Sequence, residues 1–71
     1  HPASAAARFD LARCFFELND LERAASELQY LVLMGEAHQE SFLLLADIQT
    51  RQGLFLSAAL TLKRAERLWP E

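Results

Sequence analysis

At 71 residues the chain makes at most one small domain, and with 52% hydrophobic residues it is far too apolar to stay disordered. Seven basic against ten acidic side chains give a net charge of −3, which argues against nucleic acid as the default partner. One cysteine cannot form an internal disulfide, two Pro and two Gly leave little room for sheet turns, and no apolar run approaches a membrane span. No basic leader followed by an apolar segment opens the sequence. The compartment is left open, with the cytoplasm favoured and the periplasm kept for a parent that carries a signal segment.

In chain order, Ser4 is placed to cap a first helix over residues 5–18. Arg8, Leu11, Ala12 and Phe15 follow helical spacing and are expected to face the second helix, with Arg8 interrupting an otherwise apolar seam. Cys14 reads as a small buried apolar residue. Asn19-Asp20 makes a turn, and Asp20 can cap a second helix over 21–34. That helix carries Leu21, Ala24, Ala25, Leu28, Leu31 and Val32 on a face wider than one neighbour needs. Residues 35–38 form the next turn. A third helix over 39–52 is apolar from Phe42 to Ala46, and its Asp47 and Arg51 stand at ion-pair spacing. Gly53 breaks the chain before a fourth helix over 55–69, where Ala58, Leu62 and Ala65 share a face. Lys63, Arg64 and Arg67 lie towards its C-terminal end, where cations suit the helix dipole, and Pro70 ends it.

These elements repeat. A shift of 34 residues lays Leu11-Ala12 on Leu45-Ala46, Asn19 on Gly53, Ala24 on Ala58, Leu28 on Leu62 and Leu31 on Ala65. The pattern resembles the tetratricopeptide repeat, a helix–turn–helix unit of this length that stacks into superhelical arrays. Leu11, Ala12, Phe15, Asn19, Leu21, Ala24 and Leu28 carry the likeness in the first unit. Phe42, Leu45, Ala46, Gly53, Phe55, Ala58, Leu62, Ala65 and Pro70 carry it in the second. Arg8, Gln49, Leu31 and Glu36 depart from the family's preferred aromatic, Tyr, Ala and Pro. The resemblance implies an all-α fold of two antiparallel helical hairpins, residues 5–38 and 39–71, stacked as part of an α-solenoid. Pro2 stands two repeat lengths before Pro70, so residues 1–4 are read as the cut end of a preceding repeat. Leu28 and Leu62 are expected at equivalent buried places, and self-association is expected to cover Leu54, Leu56, Leu60 and Trp69.

No constellation for chemistry stands out. His1 and His38 have no Cys or His at metal-ligand spacing, Ser26 beside Glu27 has no His near in sequence, and no glycine-rich phosphate loop is present. The expectation is therefore no enzyme, no cofactor and no metal. In the family resembled, the first helix of each unit lines a concave groove for a partner. The groove-facing places hold Ala6, Phe9, Arg13, Phe16 and Glu17 in the first unit, and Glu40, Leu43, Asp47, Thr50 and Arg51 in the second. The paired Lys and Asn with which some members grip a carboxylate tail are replaced here by Phe9, Arg13 and Leu44. The expected function is a protein–protein interaction module of a larger scaffold, or an assembly or secretion chaperone. Its partner is another protein or peptide, not nucleic acid, and no membrane insertion is expected. A structural spacer that orients neighbouring domains is the alternative, and a helical-repeat RNA binder the remote one.

Overall fold

Three left-handed backbone positions divide residues 4–70 into four helices. A computed structural model describes residues 4–70, so the proposed repeat end at Pro2 lies outside the described residues, Ser4 excepted. Among them, positive φ occurs at Asn19, Gly35 and Gly53, at 61°, 71° and 79°. A Cβ at either glycine would meet no neighbour, so the left-handed backbone alone is what asks for glycine there. Asn is the other residue type that adopts it readily. Each position closes the preceding helix in the same way. The N–H of Asn19 donates to Phe16 O at 2.9 Å and that of Asp20 to Phe15 O at 2.8 Å. The pairs Gly35–Val32 with Glu36–Leu31, and Gly53–Thr50 with Leu54–Gln49, repeat this double bond and satisfy carbonyls the helix ends leave open.

The helices are α1 (Ala5–Glu17), α2 (Leu21–Leu33), α3 (Gln39–Arg51) and α4 (Phe55–Leu68). Ala5 to Gln39, Glu17 to Arg51 and Leu21 to Phe55 are each one step of 34 residues, so the period seen in sequence is a period of structure. The helices stop one residue short of residues 18, 34, 52 and 69, which act as their C-caps. Ser4 Oγ accepts from the Ala7 N–H at 3.1 Å, and Asp20 Oδ1 from the Arg23 N–H at 3.3 Å. The α4 start differs: Leu54 occupies the place of Asp20 and offers no side-chain cap. The fold is all-helical, two helical hairpins formed by α1 with α2 and by α3 with α4, and α2 packs on α3 to join them.

Burial follows the number of neighbours each helix has. Ala12 and Ala24 are fully covered where α1 meets α2, and their counterparts Ala46 and Ala58 are buried where α3 meets α4. Small residues at these four places let the paired helices approach closely. Leu28, Leu31, Leu45 and Ile48 join Phe9 in one core that spans the α1–α2 hairpin and α3. The expected equivalence of Leu28 and Leu62 fails: Leu28 is 0% exposed and Leu62 is 47% exposed. Leu28 sits in the core to which α1, α2 and α3 all contribute, whereas Leu62 lines an open hollow with Leu43, Ala65 and Trp69. The same geometry corrects Leu11 and Cys14. Both are exposed, not turned onto α2, because the stripe they share is the one that α3 buries through Leu45 and Ile48. Trp69, expected on an open patch, is half-buried with its ring edge-on to Phe42 at 5.5 Å.

Arg8 does not spoil its seam. Its Nη1 donates to Glu27 Oε1 at 2.8 Å, and its guanidinium lies 4.0 Å from the centre of the Tyr30 ring. One repeat later the two partners are exchanged. Phe42 stands at the place of Arg8, and Arg64, at the place of Tyr30, lies over it at 5.7 Å. The hairpin seams therefore hold the same kind of cation–ring contact with opposite polarity. At the other end of the second seam, the buried Gln49 Oε1 accepts from Thr61 Oγ1 at 2.7 Å. Thr61→Val is expected to leave that oxygen buried and unpaired, at a cost of about 1–3 kcal/mol in a urea titration. Adding Gln49→Leu is expected to recover most of the loss, because both polar partners are then gone. A double variant as unstable as Thr61→Val alone would contradict this account.

Candidate functional site

α1 and α3 come side by side at the start of α3, where His38 is the hinge of the arrangement. His38 caps α3: its Nδ1 accepts from the Ser41 N–H at 3.2 Å, and its own N–H donates to Ser41 Oγ at 3.3 Å. Acceptance at Nδ1 places the ring proton of the neutral form on Nε2. The same ring meets Phe9 of α1 edge-on, with centroids 4.8 Å apart. One side chain thus starts a helix and fixes it against another. No local pattern announces this role, since histidine is an uncommon cap and its contact lies far away along the chain.

Beyond that contact lies a shallow hollow of about 360 Å³, lined by Phe9, Arg13, Glu40, Leu43, Leu44 and Asp47. Phe9, 8% exposed, and the half-buried Leu44 form an apolar floor, while Arg13, Glu40 and Asp47 are exposed around it. The Arg13 guanidinium stands 5.9 Å from the Phe9 ring centre, at the outer limit of a cation–π contact. Asp47 links the hollow to a second cluster. Its Oδ1 accepts from Arg51 Nε at 3.1 Å, and the Arg51 guanidinium covers the half-buried Phe16 ring at 4.8 Å. Arg51 thereby ties α3 to α1.

Of the expected groove residues, Phe9, Arg13, Glu40, Leu43 and Asp47 line one hollow, and Phe16 and Arg51 form the cluster beside it. Phe9 is a floor residue, not a projecting one, because His38 covers its ring. Thr50 and Glu17 stay apart from both. The Thr50 hydroxyl turns back along its own helix to donate to Ala46 O at 2.9 Å, and Glu17 is exposed without an ion pair among the described residues. Leu44, named in sequence only as a place where the family's clamp is missing, lines the hollow, and His38 joins the arrangement although no sequence pattern singles it out. Among the described residues no group of three or more His, Cys, Asp or Glu is placed to hold a metal ion, and no helix is long and apolar enough to cross a membrane. No family model, curated protein or solved structure matches the chain.

Proposed function

We propose that the chain is a protein-binding module of the tetratricopeptide type, in which α1 and α3 together hold a short apolar segment of a partner protein. The hollow between these helices carries the proposal. Its floor of Phe9 and Leu44 offers apolar contact, while Arg13, Glu40 and Asp47 supply charges of both signs at the rim. Apolar contact at the centre with a polar surround is how small interfaces concentrate affinity. An open hollow with charges of both signs suits a peptide that presents an apolar side chain between polar groups.

The test selects short peptides from a displayed random library against the chain and measures their binding by fluorescence polarisation. Winners are expected to carry one or two large apolar residues flanked by charge. Arg13→Glu and Asp47→Lys are expected to weaken them by roughly tenfold, about 1.4 kcal/mol, with most of the Arg13 effect in the association rate and its salt dependence. Gln29→Ala, on the exposed side of α2, is expected to change nothing. Peptides that respond to Gln29→Ala but not to Arg13→Glu would move the working surface to the other face.

A further inference from the structure

We infer that copies of this chain stack head to tail, the free face of α1 in one copy seating on the free face of α4 in the next. The internal joint between α2 and α3 is the template. On α2 the stripe Leu21, Ala25, Leu28 and Val32 is buried or half-buried, all four in or against the core that includes Leu45 and Ile48 of α3. One repeat later the stripe is Phe55, Ala59, Leu62 and Glu66, and all four are exposed. The first three keep the order large, small, large, so the seat on α4 retains the shape of the seat on α2; only the last, Glu66 for Val32, departs.

The matching surface is present on the same chain. α3 enters the α2 joint through Ser41, Leu45 and Ile48, all buried. Their counterparts on α1 are Ala7, Leu11 and Cys14, a small, a large and a medium side chain at the same spacing, and all three are exposed. So the chain displays an unfilled seat at one end and, at the other, a helix face of the kind that fills it. A hollow of about 360 Å³ at the α4 end, lined among others by Leu43, Leu62, Ala65 and Trp69, is part of that seat. Leu43 falls one repeat after Phe9, and its exposure is 47% where that of Phe9, covered by His38, is 8%. The two faces differ, so the contact is heterologous. Each copy added leaves the same two ends free, and growth continues unless the rotation per step closes a ring.

Sedimentation of the 71-residue chain from micromolar to millimolar concentration tests this, with Leu11→Glu and Leu62→Glu as blocks at either end. Both leucines are exposed in the single chain, so both variants are expected to keep wild-type helicity. The wild-type mass is expected to rise with concentration without stopping at two copies. Each variant alone is expected to remain monomeric, because every α1–α4 contact then includes a blocked face, while an equimolar mixture forms a one-to-one pair, since the intact α1 face of Leu62→Glu fits the intact α4 face of Leu11→Glu. A wild type that stays monomeric throughout, or a mixture that stays monomeric, would overturn the proposal. So would unimpaired association of Leu11→Glu, which would mean that the α4 faces meet each other. Should either variant fail to fold, the unmodified chain supplies its own probe. Cys14 lies in the α1 stripe, and its alkylation by a maleimide is expected to slow several-fold as association sets in; a rate independent of concentration would show that the stripe stays open.

Discussion

Leu28→Ala is expected to cost about 2–5 kcal/mol in a urea titration at low protein concentration, whereas Leu62→Ala costs about 1 kcal/mol or less. The two residues are one repeat apart, on corresponding helices, with the same chemistry. They differ in what surrounds them: Leu28 is 0% exposed in the core shared by α1, α2 and α3, while Leu62 is 47% exposed. Truncating Leu28 removes its transfer free energy and leaves a cavity in the core shared by both hairpins. A chain of 71 residues has roughly 4–10 kcal/mol of stability in total, so this single change removes a large part of it. Equal costs at the two sites would mean that Leu62 is enclosed in solution, and repeating the titration at several concentrations would show whether another copy encloses it.

The second large effect comes from adding volume. Ala24→Leu and Ala58→Leu are each expected to cost about 1–3 kcal/mol, because a larger side chain must push apart helices that meet at an alanine. At the first seam the displacement also strains the Arg8–Glu27 pair, whose 2.8 Å bond depends on the spacing of α1 and α2. Ala59→Leu is the control. It sits next to Ala58 on α4 but is exposed, and leucine is nearly as good a helix former as alanine, so at a concentration that keeps the chain monomeric it is expected to leave the unfolding midpoint within about 0.5 kcal/mol of wild type. Were Ala58→Leu as harmless as Ala59→Leu, close approach would not be what holds the α3–α4 seam.

The elements were legible because their signals are local. A cap at Ser4 or Asp20, a left-handed residue at Asn19 or Gly53 and apolar residues at helical spacing each act within a turn or two of chain. The period then reinforced them by stating each signal twice. Side-chain surroundings were less legible, and the misreadings share a cause. Repeat equivalence matches Leu62 to Leu28, helical spacing places Leu11 and residue type places Cys14, yet burial in a repeat depends on whether a further helix lies alongside. Arg8 looked misplaced because its partners, Glu27 and Tyr30, lie on the next helix and have no fixed sequence spacing to reveal them. Part of the candidate site was visible, since the family resemblance places Phe9, Arg13, Leu43 and Asp47 on the groove side of the first helices. The capping histidine that orders it was not.

A chain built from two nearly equivalent hairpins must still pair the right helices with each other, and the exchanged cation–ring contacts bear on that choice. In the native pairing Arg8 finds Tyr30 and Glu27, and Phe42 finds Arg64. If α1 docked against α4 in the register it uses on α2, Arg8 would face Arg64, and Thr61 would stand where the carboxylate of Glu27 belongs. Two guanidinium groups would then share a partly dry seam without an anion. The converse error, α3 against α2, would set Phe42 beside Tyr30 and leave Glu27 with no cation. Because α1, α2, α3 and α4 otherwise present similar apolar faces, this polarity reversal raises the energy of the crossed arrangements without changing the packing of the correct one. It gives each first helix an address for its own second helix, and so guards the folding of a repetitive chain against the misassembly to which repeats are prone.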